Sequence, residues 1–289
     1  MDWSQAQKEL AKRLAPGHGD REAAIIADWV MERVTGQSKL ERLLRKTEEL
    51  RQGMLIAYER YSNELLAGRP VQYVLGESWF GGMKFFVDER VLIPRPETEE
   101  LVEWVISEAA ASGLSTDLRP SPGAILDVGT GSGCIAITLS RRLPRMAVYA
   151  CDVSEGALAV AGRNAAELGA TVGLLKTDFL DRGQWAALPP VRWLVSNPPY
   201  IPLKERGSMA SHVVDAEPAL ALFVPDDDPL IFYRALGEFA GMHPGAVLFL
   251  EVHEGLGGDV RELLLGLGAV EVIVRKDLQG KDRMIKAVW

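Results

Sequence analysis

The sequence is poor in cysteine, in positive charge and in long apolar runs. Of its 289 residues only Cys134 and Cys151 are cysteines, and both fall inside apolar stretches rather than in a spaced framework. That pattern excludes a disulfide scaffold and offers no zinc-ligand spacing, so no metal is expected and both thiols are expected buried and reduced. No segment approaches the roughly 20 consecutive apolar residues of a spanning helix. The opening MDWSQAQKELAKRL alternates charged with apolar residues, unlike a signal peptide, and a cytoplasmic location without membrane contact is the expectation. Lys and Arg total 32 against 40 Asp and Glu, a net charge of -8. This weighs against a protein that coats nucleic acid, since phosphate binding calls for clustered cations. A local patch of Arg141, Arg142 and Arg145 runs against that trend. Repeats and low-complexity tracts are also missing.

What remains, 47% hydrophobic and 25% charged, is the composition of a soluble globular chain long enough for one large and one small domain. Apolar residues at three- and four-residue spacing predict helices over Gln5–Leu14, Arg21–Val34, Lys39–Leu50 and Met54–Leu66, broken by PGHG and TGQS. Residues 1–70 read as a helical domain. Val71–Val91, rich in aromatic, glycine and β-branched residues, reads as a hairpin inside a connecting segment, 71–96. After a helix over Thr98–Ala111 and the linker SGLSTDLRPSPG, strands alternate with helices, the pattern of a parallel α/β sheet. The strands are expected at Ala124–Val128, Ala147–Cys151, Val172–Lys176, Val191–Ser196, Ala246–Val252, Val270–Val274 and Met284–Val288. Cys134–Leu143, Glu155–Leu168, Pro229–Met242 and Gly257–Leu267 are the intervening helices, with Ser154 starting one and Gly169 capping its end. The fold class is therefore α/β, a seven-stranded doubly wound Rossmann-like sheet over 97–289. In such sheets ligands bind beyond the carboxyl ends of the strands, here Asp127–Gly133, Asp152 and Asn197–Tyr200.

ILDVGTGSGCIAITLS reads as strand, glycine loop and helix. Gly129, Gly131 and Gly133, with Thr130 and Ser132 between them, permit a tight turn and let a ligand approach the backbone at the positive end of the helix, although such turns also serve purely structural ends. A dinucleotide fingerprint would place glycine at 134, where Cys134 stands, and no Gly-Lys-Ser/Thr follows for a Walker loop. The spacing D-x-G-x-G-x-G instead resembles class I S-adenosylmethionine-dependent methyltransferases. Asp152 ends the next strand, 19 residues after Gly133, where a carboxylate can accept from both ribose hydroxyls. TDFL supplies Asp178 and Phe179, either a partner for an adenine amino group and a face for the base or a capping aspartate and a core ring.

VSNPPYIP ends the fourth strand. Pro198 and Pro199 lack N–H groups, so the carbonyls of Asn197 and Pro198 lie in a stretch of acceptors without neighbouring donors; the Asn197 side-chain oxygen adds another, and Tyr200 offers a flat face. The implied target is a planar NH₂ group, a poor nucleophile whose hydrogens can be held in acceptors while its lone pair is aimed at a methyl donor. No strong general base is required, and His18, His212, His243 and His253 read as incidental.

Asn-Pro-Pro-Tyr is shared by enzymes that methylate adenine in DNA, guanine in ribosomal RNA and glutamine in protein, so it identifies a chemical group rather than a substrate. GRPVQYVLGESWFGGMKFFVDERVLIPRPETEELVEWV, ILDVGTGSGCIAI, VSNPPYIP, AEPALALF and DLQGKDRMIKA, in this order, resemble the release-factor glutamine methyltransferases (the HemK/PrmC family) over essentially the whole chain. The resemblance implies methyl transfer from S-adenosylmethionine to the side-chain amide of the GGQ glutamine in class I peptide chain release factors. It also implies a helical N-terminal domain that helps grip that substrate, cofactor contacts at Gly129–Gly133, Asp152, Phe179 and Asn197, and glutamine binding by Asn197–Tyr200. Ala216 departs from the aromatic residue often found before Glu-Pro, and the position of Phe179 varies in the family. Leu203–Glu217, polar and aperiodic, reads as a lid over the acceptor or an exposed loop. Arg95 and Glu97 read as a salt-bridged hinge or as contacts to cofactor or substrate. A monomer is expected, with no stable nucleic-acid binding. The rival readings are an amino-group methyltransferase of DNA adenine or ribosomal RNA guanine, which would want a basic surface and a target-recognition domain, and a binding module that has lost its chemistry.

Overall fold

The computed structural model describes residues 1–112, 123–208 and 216–289. Two compact units emerge, one whose described residues are 1–77 and 216 and one whose described residues are 78–112, 123–208 and 217–289. In the first, α1 (Trp3–Thr35) starts at a capping box in which Asp2 accepts from the Gln5 N–H, and it breaks at Gly19, whose φ of 76° and ψ of 159° are not helical. The two helices expected on either side of PGHG are thus present, joined at that break. A core of Leu10, Ile26, Val30, Met31, Tyr58 and Leu65 joins α1 to α3 (Gln52–Leu66), and the buried Tyr58 hydroxyl donates to the Ala6 carbonyl at 2.9 Å.

Two expectations for this region need correction. The helix expected over Lys39–Leu50 stops as α2 at Lys39–Leu44, because the following backbone pairs with the chain start: Trp3 N–H donates to Glu48 and Leu50 N–H to Met1. The hairpin expected over Val71–Val91 is shorter. Val71–Leu75 forms a helical turn, α4, with Val71, Tyr73, Val74 and Leu75 buried, and only β1 (Ser78–Phe80) and β2 (Met83–Phe85) pair antiparallel. Burial of that turn outweighs the strand preference of its residues.

The second unit begins with that hairpin. α5 (Pro96–Ala111) opens with proline at its first position, where no N–H is needed. The sheet then contains β3 (Ala124–Val128), β4 (Val148–Asp152), β5 (Gly173–Lys176), β6 (Val191–Ser196), β9 (Val247–Glu251), β10 (Glu271–Lys276) and β11 (Asp282–Val288), in the order β10-β11-β9-β6-β3-β4-β5. A further two-stranded piece pairs β7 (Ile201–Pro202) with β8 (Phe223–Val224). The sheet is parallel from β9 to β5, but β11 runs antiparallel to both β9 and β10. The turn from β10 to β11 is too short for a crossover helix, and Gly280, at φ 83°, helps close it.

Alternation along the strands fills both faces. Ile125, Trp193, Val195, Phe249 and Met284 pack against α5 and α6 (Cys134–Arg142) on one side. Leu126, Leu194, Leu248, Leu250 and Ile285 pack under the helices Ile231–Gly241 and Gly257–Gly266 on the other. Strands buried on both faces are what a continuous apolar run such as Trp193–Val195 encodes. Cys134 and Cys151 lie in these cores, where burial pushes both thiols up to about 12.

Candidate active site

The chain leaves β3 for β4 and β5 on one side and returns to β6 on the other. The carboxyl ends of β3 and β6 therefore border the switch point where ligands enter doubly wound sheets. Ser196 holds this edge together, its Oγ donating to the Val128 carbonyl at 2.6 Å. A cavity of about 260 Å³ opens there, bordered by Gly129, Gly131, Asp152, Asp178, Phe179 and Asn197 among others.

The three loop glycines occupy different surroundings. Gly129 (φ 73°) and Gly131 (φ 53°) border the cavity, and a Cβ on either would meet nothing within 4 Å. Gly133 (φ 81°) caps α6, and a Cβ there would stand 2.8 Å from Ile137 Cδ1 and 3.1 Å from Ala161 Cβ on α7 (Glu155–Glu167). Its glycine is required by helix packing as well as by φ. Thr130 and Ser132 are buried away from the cavity lining. Thr130 Oγ1 donates to Asp127 Oδ2 at 2.7 Å, and the Ala136 N–H reaches the same oxygen at 3.2 Å. The other Asp127 oxygen is buried without a partner, and burial, aided by the nearby Asp152 charge, raises this carboxyl to about 7.

Asp152 fastens the loop from the neighbouring strand. Its Oδ2 accepts the Gly131 N–H and its Oδ1 the Ser154 N–H, each at 2.9 Å, leaving a further lone pair on each oxygen at the cavity edge. Asp178 accepts the Leu180 N–H at 3.0 Å, so it caps its own turn while also bordering the cavity. Phe179 is likewise dual in position. It packs in an aromatic cluster 5.6 Å from Trp185 and 5.4 Å from Phe239, ring centre to ring centre, and its edge reaches the cavity.

Asn197, Pro198 and Pro199 line the cavity, whereas Tyr200 does not. Asn197 Nδ2 donates to Thr98 Oγ1 at 3.0 Å, and Thr98 Oγ1 donates to Glu251 Oε2 at 2.6 Å. With Nδ2 committed, Oδ1 is the amide atom left to accept. Tyr200 points its hydroxyl at Glu251 Oε1, 3.4 Å away, and packs on the core. Glu251 is fully buried, and burial raises its carboxyl to about 7 against the lowering effect of Thr98 and Arg283.

Thr98 and Glu251 are functional candidates that sequence reasoning missed. Thr98 sits beside Arg95 and Glu97 in IPRPET, and Glu251 ends a strand just as Asp152 does; the strand-end position was the available signal. Asn164 on α7 is another. Its amide donates to the Ser132 and Phe86 carbonyls and its oxygen accepts the Phe86 N–H, clipping the glycine loop to the segment after β2. Arg95 pairs with the buried Glu217 at 2.6 Å, and Glu97 accepts from Gln279 at 3.4 Å; each contact lies within the second unit. Within the proposed lid, Leu203–Ser208 forms a 3₁₀ turn, Glu217 is buried against Arg95, and 209–215, with His212, lies outside the described residues, as does most of the linker SGLSTDLRPSPG. In the arginine patch, Arg141 caps the Leu168 carbonyl and Arg142 pairs with Glu103. No group of three potential metal ligands occurs among the described residues, and no helix among them is long and apolar enough to cross a membrane.

Comparison with known proteins sharpens what this geometry belongs to. Residues 5–76 match the PrmC N-terminal domain family and residues 107–220 the methyltransferase small domain family. The release factor glutamine methyltransferase of Chlorobaculum tepidum is 42% identical over 91% of this chain and 89% of its own. That of Flavobacterium psychrophilum is 41% identical over 80% of each. Among solved structures, the hMettl16 catalytic domain in complex with MAT2A 3′UTR hairpin 6 shares the fold at a TM-score of 0.52, with 16% identity, over 82% of this chain and 81% of that one. With such identity sustained over most of both partners' lengths, the chain belongs to the release factor glutamine methyltransferase family.

Proposed function

We infer that the protein methylates the side-chain amide nitrogen of the GGQ glutamine in class I peptide chain release factors, using S-adenosylmethionine. Beyond family membership, one observation carries the reading: Asn197 borders the cavity with its amino group held by Thr98, so that its oxygen is left to accept from an NH₂ group. The Pro198 and Pro199 nitrogens bring no competing donor to that turn. Two acceptors, Asn197 Oδ1 and a carbonyl of the same turn, suit the two hydrogens of a primary amide, and holding them orients the nitrogen.

The cavity also fits the cofactor. Bare backbone at Gly129 and Gly131 borders it where any side chain would intrude, Asp152 retains lone pairs for vicinal hydroxyls, and Asp178 with Phe179 offers an acceptor and a ring for an aminated base. S-adenosylmethionine supplies an activated methyl group, whose transfer to nitrogen leaves a thioether and releases one proton. The chain's part is to bind, to orient and to exclude water. Gly129, Gly131, Asp152, Asp178, Phe179 and Asn197 hold the cofactor, with Thr130, Ser132 and Gly133 shaping the loop from behind, and Asn197, Pro198 and Pro199 hold the glutamine. Tyr200 supports that turn from outside the cavity, its hydroxyl turned to Glu251.

The helical unit, Met1–Glu77, contributes to gripping the release factor. It exposes Leu40, Leu43 and Leu44 on one face of α2, apolar surface suited to a protein partner. The protein is cytoplasmic, where release factors act, and monomeric. Labelled S-adenosylmethionine should mark a class I release factor and not its GGQ-to-GGA variant, DNA or ribosomal RNA. Label on nucleic acid instead would assign the same amide-holding turn to a base amino group.

A further inference from the structure

The acceptor asparagine is the end of a buried chain of hydrogen bonds rather than an isolated side chain. Asn197 Nδ2 reaches Thr98 Oγ1 at 3.0 Å, Thr98 Oγ1 reaches Glu251 Oε2 at 2.6 Å, and Tyr200 approaches the other oxygen of Glu251 at 3.4 Å. Thr98 and Glu251 are buried, and all four residues belong to the second unit. A threonine hydroxyl has one hydrogen to give. If it gives that hydrogen to a carboxylate, it can only accept from Asn197, which fixes the amide with nitrogen inward and oxygen toward the cavity.

We propose that Thr98 and Glu251 are positioning residues whose hydrogen-bond polarity, set by the ionised Glu251 carboxylate, holds the Asn197 amide oxygen toward the substrate NH₂ group. The inference deepens the glutamine reading and rests on it for its substrate. A protonated Glu251 reverses the chain. Its O–H donates to Thr98 Oγ1, the threonine hydrogen turns to Asn197, and the amide is free to flip and present NH₂ to the incoming NH₂, a donor facing a donor. Asn197 then repels the group it is placed to hold.

The surroundings of Glu251 decide when this happens. Arg283 on β11 favours the carboxylate, while Glu97 on α5 and burial oppose it. Tyr200 after β6 faces the carboxylate and Tyr233, on the helix Ile231–Gly241, points its hydroxyl at the Glu251 carbonyl; Cys134 on α6 is near enough to feel its charge. Both tyrosines titrate far above neutrality and the Cys134 thiol at about 12, so none changes charge near pH 7. Glu251 itself sits at about 7.

Turnover on a release factor, measured from pH 5.5 to 8.5, should rise about tenfold through an inflection near 7 with little change in KM. Thr98→Val should lower kcat at least about tenfold and flatten the profile, with cofactor affinity by calorimetry within about twofold, and Thr98→Ser should restore both rate and profile. Glu251→Gln should also flatten it. Independently of activity, the Asn197 side-chain NH₂ resonances of the full chain should shift with a midpoint near pH 7, and the shift should vanish in Glu251→Gln. Equal rates and profiles in wild type and Thr98→Val, or Asn197 resonances indifferent to pH, overturn the proposal. A wild-type protein that leaves the release factor unlabelled defeats the substrate reading instead, and the resonance titration still decides the hydrogen-bond chain.

Discussion

Asp152 and Asn197 end strands on opposite sides of β3, yet each is tied to a different part of the site. Asp152 braces the glycine loop through Gly131 and Ser154 while keeping lone pairs at the cavity; Asn197 is anchored through Thr98 and keeps an oxygen. Replacing Asp152 by Ala removes both loop contacts and the cofactor-side carboxylate, and should weaken S-adenosylmethionine binding by at least about tenfold in a calorimetric titration. Asn197→Ala should instead lower kcat by about 100-fold, as loss of a preorganised polar contact does, with a much smaller loss of cofactor affinity. The opposite split would exchange the roles given to these two residues. Both were legible from local spacing, because a glycine loop, a strand-end acid and two prolines are written in consecutive residues. Thr98 and Glu251 were not, since their meaning lies in contacts across 99 and 153 positions of sequence. Read alone they are a first-turn threonine and a strand-end glutamate.

At the level of the elements, the glycine loop is shaped as much by the helices behind it as by the cavity in front. Gly133 lies where α6 starts and α7 passes closely, and Asn164 on α7 ties the loop to the segment after β2. Gly133→Ala should therefore cost about 1–3 kcal/mol, read from the urea midpoint, through positive φ and contacts with Ile137 and Ala161. Gly129→Ala, which meets no neighbour, should cost about 1 kcal/mol of stability and lose far more in cofactor binding, since its methyl enters the cavity. Equal stability losses would mean that the packing behind Gly133 is soft. The alternation of strands and helices was readable because apolar runs bounded by glycine, proline and polar residues recur along the second unit. The end of α2 and the turn at Val71–Leu75 were not, because a backbone pairing with the chain start and burial in the helical core decided them. The antiparallel β11 could have been read from the short DLQGKD turn, which leaves no room for a crossover.

Across the whole molecule, two raised carboxyls, Asp127 and Glu251, set the dependence of stability on pH. Burial lifts each to about 7, against ordinary values of 3.8 and 4.5. The folded protein thus retains protons that the unfolded chain has released between about pH 4 and 7, so stability falls as pH rises through that window and levels off above it. Each contributes a decline of up to roughly 3–4 kcal/mol. Carboxyls held low by a partner, Asp88 by Arg90 and Glu108 by Lys286, act in the opposite sense: their contribution is complete above the unfolded carboxylate range and is lost on acidification. The urea midpoint of the second unit should be higher at pH 5.5 than at pH 7.5, and Asp127→Asn, which cannot ionise, should reduce that difference. A wild-type midpoint that climbs over this interval would show that both buried carboxyls are already ionised at pH 5.5, and an Asp127→Asn variant that declines in parallel with wild type would show this of Asp127 alone. The ionisation of folded Glu251 that orients Asn197 is the one at which its loss of stability comes to an end. The decline due to Glu251 should therefore precede the gain in turnover and level off as that gain sets in near pH 7, whereas the part due to Asp127 should be removable without moving the pH profile of the reaction.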